Sequence, residues 1–250
     1  MGDPFVVVIS GAGRGLGNSL AQAYLSRPNC IVLGTVRDIE APGIAPLRTS
    51  AKASGSELVL AKVESSLPTD AANVVEELKA RGIGHIDVVI ANAGISPPVT
   101  LLESVAVDEV RNAFDINALG PLALYQACYP LLHRSSNPKF ITISSAAGSI
   151  GGMEKNGAFV APAYCISKSA LNWITLSAHC GNKWLIASAI NPGLVATDMG
   201  NKTAKDRGLE KALITKEQST AKIMEIIDGA TREKTSGRFI NAMTGTELQW

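Results

Sequence analysis

The stretch Phe5-Val6-Val7-Val8-Ile9-Ser10-Gly11-Ala12-Gly13-Arg14-Gly15-Leu16-Gly17, followed by a helical pattern over Ser19–Ser26, decides the fold. Its apolar run lacks the alternation of a half-wet strand, so helices are expected on both faces. The glycines that follow let the chain turn sharply and bring backbone amides to the positively polarised start of a helix, a cradle suited to a pyrophosphate. The spacing is Gly-x-x-x-Gly-x-Gly through Gly11, Gly15 and Gly17, and the commoner GxGxxG is not met.

Outward from this segment, short β-branched runs alternate with longer helical patterns. Phe5–Ser10, Ile31–Val36, Glu57–Lys62, Ile86–Ala91, Lys139–Ser144, Leu185–Asn191 and Arg238–Asn241 read as strands. This alternation predicts an α/β fold: a single Rossmann-type domain over residues 1–250, with a doubly wound parallel sheet of seven strands flanked by helices. Segments 38–55, 148–162 and 196–213 read as long loops. The last two are expected to shape a substrate pocket, because open α/β sheets bind ligands at the carboxyl ends of their strands.

Composition excludes several classes of partner. The 250 residues are 46% hydrophobic and carry a net charge of +1, so a large core forms and no field gathers nucleic acid or anionic membrane. The longest apolar run, Phe5–Ile9, is too short to cross a bilayer, and a cytoplasmic protein with a small-molecule partner is expected. Cys30, Cys128, Cys165 and Cys180 are far apart, and His85, His133 and His179 are isolated, so no metal or redox motif is read; the thiols are expected in or near the core. Asn201-Lys202-Thr203 matches a glycosylation sequon and is read as chance.

The second strand ends Gly34-Thr35-Val36-Arg37-Asp38, about twenty residues past the glycines, where a dinucleotide fold meets the adenosine ribose. Arg37 offers a charged fork to a 2′-phosphate, and Arg14 can lie on the other side of that phosphate, which favours NADPH over NADH. Asp38 is the counter-reading, since its carboxylate can serve a free ribose.

Tyr164 and Lys168, four apart in Tyr164-Cys165-Ile166-Ser167-Lys168, share one face of a helix. A nearby ammonium, with an oxidised nicotinamide, favours the phenolate and makes tyrosine an acid and base near neutral pH. The preceding strand ends in Ser144-Ser145, either of which can present a hydroxyl to the same crevice. The glycine turn, Ala91-Asn92-Ala93-Gly94, Asn117, Ser145, Tyr164 with Lys168, and Asn191-Pro192-Gly193 occur in one order along almost the whole chain. Together they closely resemble the short-chain dehydrogenase/reductase family.

That resemblance implies reduction of a ketone or aldehyde, with Tyr164 as proton donor, Ser145 bonded to the carbonyl oxygen, Lys168 holding the nicotinamide ribose and Asn117 anchoring a water for reprotonation. It implies NADPH contacts at Gly11, Arg14, Gly15, Leu16, Gly17, Arg37, Val63, Asn92, Ala93, Gly94, Tyr164, Lys168, Pro192, Gly193, Val195 and Thr197, and no metal. Relatives are often dimers or tetramers, so a homo-oligomer is expected. The ends Asn182-Lys183-Trp184-Leu185, Thr197-Asp198-Met199-Gly200 and Thr235-Ser236-Gly237-Arg238-Phe239 are most similar to fungal ketoreductases of the norsolorinic acid type, which implies a bulky aromatic substrate of secondary metabolism.

Three departures stand out. Lys62-Val63-Glu64 replaces the usual acidic residue near the adenine, leaving a backbone contact at Val63; Ala91 replaces a first asparagine; and the stretch from Ser145 to Tyr164 is longer than in typical members, the extra length falling near Met153 and Phe159. An NAD-dependent alcohol dehydrogenase, a cofactor-binding sensor and a non-redox enzyme on the same fold are the rival readings.

Overall fold

The computed structural model describes residues 2–250. Eight strands form one sheet in the order β3-β2-β1-β4-β5-β6-β7-β8. They are β1 (Phe5–Ser10), β2 (Cys30–Val36), β3 (Glu57–Lys62), β4 (Val88–Ala91), β5 (Lys139–Ile143), β6 (Ile186–Asn191), β7 (Phe239–Asn241) and β8 (Glu247–Leu248). The seven expected strands are present and parallel, with ends shifted by no more than two residues. The eighth corrects the count. β8 runs antiparallel to β7, and its two residues are too few to register as a periodic pattern.

The helices are α1 (Gly15–Leu25), α2 (Ala45–Arg48), α3 (Ala72–Lys79), α4 (Val107–Phe114), α5 (Gly120–Leu132), α6 (Pro162–Gly181), α7 (Asp198–Asp206) and α8 (Lys216–Asp228). β1 accounts for the two-sided cover. Val6 and Val8 point into one core layer with Val74 and Leu78 of α3 and Leu124 of α5. Val7 and Ile9 point into the other, with Leu20 and Tyr24 of α1 and Ile223 and Ile227 of α8. All four β1 residues are wholly buried, which is worth roughly 1.5–3 kcal/mol for each such side chain.

Two of the three expected loops contain helix. Segment 196–213 contains α7, whose polar residues bury only Ala204 and so give no apolar stripe. Segment 38–55 folds into a 3₁₀ turn at Pro42–Ile44 and the short α2. Residues 148–162 are turns closed by a 3₁₀ turn at Ala158–Val160. Cys30, Cys128 and Cys165 are buried as expected, whereas Cys180 near the end of α6 is exposed. Among the described residues no helix is long and apolar enough to cross a membrane.

β1 lies between β2 and β4, so the chain order reverses there. A crevice opens at such a switch point outside the carboxyl ends of the strands, and the candidate site residues gather around it.

Candidate active site

The cradle is built from main chain. At the end of β1 the Ser10 hydroxyl accepts from the backbone amides of Asn92 (2.9 Å) and Ala93 (3.0 Å), while Asn92 Nδ2 donates to the Ser10 carbonyl at 2.9 Å. These bonds fasten the end of β1 to the loop after β4. Gly17 sits so close beneath them that a Cβ there would lie 2.4 Å from both Asn92 Nδ2 and the Gly11 carbonyl. Gly11 has φ +70°, and a Cβ there would lie 3.0 Å from Ala93 Cα. No side chain caps the start of α1, so its first amides face the turn without a local acceptor. Leu16 contributes only backbone here, because its side chain packs into the core.

Arg37 and Asp38 follow β2 and both are exposed. Asp38 Oδ1 accepts from the Glu40 amide at 2.9 Å, so this carboxylate is engaged in its own turn. Among the described residues no hydrogen bond or ion pair holds the Arg37 side chain. Arg14 is exposed, 3.9 Å from Asp198 at the start of α7. The Val63 amide donates to the Val36 carbonyl at 2.9 Å, which leaves Val63 its carbonyl and side chain for any ligand. Val63 lines a narrow cleft with Ser10, Thr35, Glu64, Ala93 and Gly120.

Asn117 is wholly buried on a π-helical turn, Asp115–Leu119, between α4 and α5. Pro121 has no N–H for the Asn117 carbonyl, so the α-helical ladder cannot continue there. Asn117 Nδ2 donates to the Ile95 carbonyl and to Ser167 Oγ, both at 2.9 Å, and Oδ1 accepts from the Ile95 amide at 2.8 Å. Its side-chain donors are therefore spent on the loop after β4 and on α6. A Cβ at Gly94 would lie 2.9 Å from Asn117 Oδ1 and 3.7 Å from Lys168 Nζ, so the small residue lets these three segments meet.

Lys168 is 5% exposed, and its ammonium donates to the Ile143 carbonyl at 2.9 Å and lies 5.8 Å from the centre of the Tyr164 ring. Burial lowers Lys168 to about 8. Burial also pushes the Tyr164 phenol up to about 12, with the Ser145 hydroxyl and the Arg207 charge pulling the other way. Tyr164 is thus a neutral acid at pH 7, as an ordinary phenol is, and burial strengthens that state.

The two adjacent serines differ in their partners. Ser144 is buried and donates to Asn172 Oδ1 at 2.6 Å, away from Tyr164. Ser145 accepts from the Ala147 amide at 3.2 Å and keeps its hydroxyl proton for Tyr164 or a ligand. The return segment closes the site. Pro192 accepts from Ser219 Oγ at 2.9 Å, Gly193 takes φ +83° against Ile214, Val195 bridges to Ile214, and Thr197 caps α7. A Cβ on Gly15 would touch Thr197 Cγ2 at 3.4 Å, so this segment ends against the cradle. The sequence reading missed Ser10, Ser167 and Asn172 as supports; a hydroxyl ending a buried strand was the visible signal for Ser10.

A family model described as short chain dehydrogenase matches residues 5–208. The chain belongs to the short-chain dehydrogenase family. It is 44% identical to a short-chain dehydrogenase, srdF, of Neurospora crassa, over 99% of this chain and 98% of that one. It is 37% identical to the norsolorinic acid ketoreductase nor1 of Dothistroma septosporum, over 97% and 91%. Among solved structures, an NADPH-bound carbonyl reductase from chicken fatty liver superposes with a TM-score of 0.85 at 25% identity, covering 99% of both chains.

This short-chain dehydrogenase is thus an oxidoreductase with the fold of a nicotinamide enzyme. The glycine turn fits such a cofactor: the positive φ of Gly11 turns the chain from β1 toward α1, the missing side chain of Gly17 lets that helix pack against Asn92 and the Gly11 carbonyl, and no side chain caps the first amides of α1.

Proposed function

We propose that this chain is an NADPH-dependent carbonyl reductase acting on a bulky aromatic, polyketide-like ketone in fungal secondary metabolism. The observation that carries the reading is the buried Lys168 ammonium, 5.8 Å from the centre of the Tyr164 ring, bonded to the carbonyl of Ile143 at the end of β5 and set against Gly94 of the loop that Ser10 ties to the cradle. A bound nicotinamide supplies the hydride that adds to the carbonyl carbon. As the C=O π electrons move to oxygen, Tyr164 gives that oxygen its phenolic proton and Ser145 donates a hydrogen bond to it. Lys168 holds the resulting phenolate with its positive charge. Asn117 acts by fixing the Ile95 backbone and the Ser167 hydroxyl around Lys168, and the second lone pair of its Oδ1 is what it offers a water.

Arg37, free of protein partners at the end of β2, supports NADPH, with Arg14 across the same phosphate. The naming of relatives as norsolorinic acid ketoreductases and the exposed Phe159 and Leu213, 58% and 77% accessible, support an aromatic substrate. The same reading takes the protein as a homo-oligomer, a dimer or a tetramer. Trp173 on α6 and Val107 on α4, which packs along it, are each 70% exposed and support that part.

The test is oxidation of NADPH and of NADH, followed by absorbance, over aromatic ketones, diketones, quinones and aliphatic aldehydes. Faster turnover with NADPH and an aromatic ketone is expected. Tight cofactor binding with no oxidation of either nucleotide would turn the reading to a sensor or a non-redox enzyme.

A further inference from the structure

The stretch between Ser145 and Tyr164 is tied back to the residue that follows each of them. Ser145 leads into a 3₁₀ turn, Ala146–Gly148, and Ala146 is held from several sides. Its amide donates to Asn191 Oδ1 at the end of β6 at 3.2 Å. Its carbonyl accepts from the Ser149 amide at 3.2 Å and from Asn156 Nδ2, ten residues further on, at 3.0 Å. At the start of α6 the Cys165 thiol, next to Tyr164, donates to the Ala158 carbonyl at 2.8 Å. Residues 156–158 therefore bridge the strand end that bears Ser145 and the helix that bears Tyr164.

Asn156 is itself held in place. Its backbone amide donates to the Gly152 carbonyl at 2.9 Å, and a Cβ at Gly152 would lie 2.9 Å from Asn156 Nδ2 and 2.8 Å from Ser149 Oγ, so only glycine lets the side chain pass to Ala146. The buried Ser149 hydroxyl accepts from the Gly152 amide at 2.9 Å. The Gly151 amide donates to the Trp250 carbonyl at 2.9 Å, and the Trp250 ring stacks on Phe239 of β7 with centroids 5.6 Å apart. The stretch is thus fastened to the sheet. Ser145 shares the turn that Asn156 grips: its carbonyl accepts from the Gly148 amide at 2.8 Å and its Oγ from the Ala147 amide at 3.2 Å. Releasing the Ala146 carbonyl loosens that turn and with it the direction of the Ser145 hydroxyl, since a reacting group is only as fixed as the bonds behind it.

We propose that Asn156 is a positioning residue that sets the Ser145 hydroxyl through the Ala146 peptide, so that the stretch before α6 helps align that hydroxyl on the carbonyl oxygen. The proposal rests on the reductase reading for its effect on turnover, and the brace on Ser145 stands without it. A misaligned donor weakens a bond made to charge developing on oxygen, so the loss falls in kcat and leaves nucleotide binding alone.

The experiment is a double-mutant cycle on the full chain, with NADPH and the aromatic ketone that the wild type reduces fastest, using Asn156→Ala, Ser145→Ala and the two together. Fluorescence titration of NADPH checks that each variant keeps the fold. Asn156→Ala should lower kcat by about tenfold in the wild-type background, the worth of one lost hydrogen bond. In the Ser145→Ala background it should change kcat by less than about twofold, because the residue it acts through is gone. Equal losses in both backgrounds, the mark of a merely structural brace, or an unchanged kcat in Asn156→Ala would overturn the proposal. Amide exchange followed by NMR in the NADPH-loaded protein reads the brace without turnover, and it decides where Ser145→Ala is too slow to measure or where the wild type reduces no ketone, an outcome that sinks the reductase reading alone. The Ala147 amide, the one bonded to Ser145 Oγ, should exchange about tenfold faster in Asn156→Ala while the amides of β5 keep their rates. Exchange at Ala147 as slow as in the wild type overturns the proposal.

Discussion

The two sides of the crevice are built by opposite means. On the cradle side, short polar ties and tight packing fix the backbone: the Ser10 hydroxyl and the Asn92 side chain join β1 to the loop after β4, Gly17 leaves no space for a methyl group, and Val6 to Ile9 of β1 below are wholly buried. On the substrate side, residues 149–160 and 198–213 are turns and one polar helix, and Ile150, Phe159 and Leu213 face outward. The difference follows from what each side has to fit. A pyrophosphate imposes one backbone geometry, satisfied by amides and glycines, whereas a substrate is selected by side chains on segments free to vary.

Tyr164 stands at the seam, and replacing it should separate the two sides most sharply. Tyr164→Phe keeps the ring in place and removes the proton that the proposed reaction transfers to the carbonyl oxygen. Turnover should fall by about 10²–10⁴-fold, the usual worth of a positioned acid, while NADPH affinity measured by fluorescence titration stays near that of the wild type. Turnover surviving in this variant would take Tyr164 out of the mechanism.

Arg37→Asp probes the cradle side alone. The change replaces a cation with no protein partner by an anion that repels a 2′-phosphate and suits a free hydroxyl. The ratio of kcat/KM for NADPH to that for NADH should drop by about 10- to 100-fold, with the ranking of ketones unaltered. Equal losses with both nucleotides would mean that Arg37 does not meet the phosphate.

The same contrast governs how much could be read from sequence. β1 and the glycine turn were legible because continuous apolar residues and glycines at fixed spacing have few other uses, and Tyr164 with Lys168 because a helix brings residues four apart onto one face. α7 was not legible, since it buries only Ala204, and its end at Arg207 was hidden with it. Neither was β8, too short to carry a period. The choice between Ser144 and Ser145 waited on Asn172, which meets Ser144 only after α6 docks. The bond from the Glu40 amide to the Asp38 carboxylate likewise forms only in the folded turn. The setting of Tyr164 is a third such case: its spacing from Lys168 was visible, but the burial that raises the phenol comes with the folded structure.

The smallest expected effect concerns the cost of holding Lys168 at the seam. Burial lowers this ammonium from its ordinary value of 10.5 to about 8, so folding desolvates a charge. Below pH 8 both folded and unfolded chains carry the proton, and the full penalty applies. Between about 8 and 10.5 the unfolded chain binds a proton that the folded chain does not, so stability rises with pH across that window by on the order of 1 kcal/mol per pH unit at most. The Tyr164 phenol, raised to about 12, works in the opposite sense only above its ordinary value of 10, where the unfolded chain loses its proton first. Urea unfolding of the cofactor-free protein between pH 7.5 and 9.5 should therefore show the wild type gaining stability relative to Lys168→Met, whose curve lacks this titration. Parallel pH curves for the two proteins would mean that the ammonium keeps its ordinary affinity for the proton in the fold, and with it that the seam is as open to water as the substrate side.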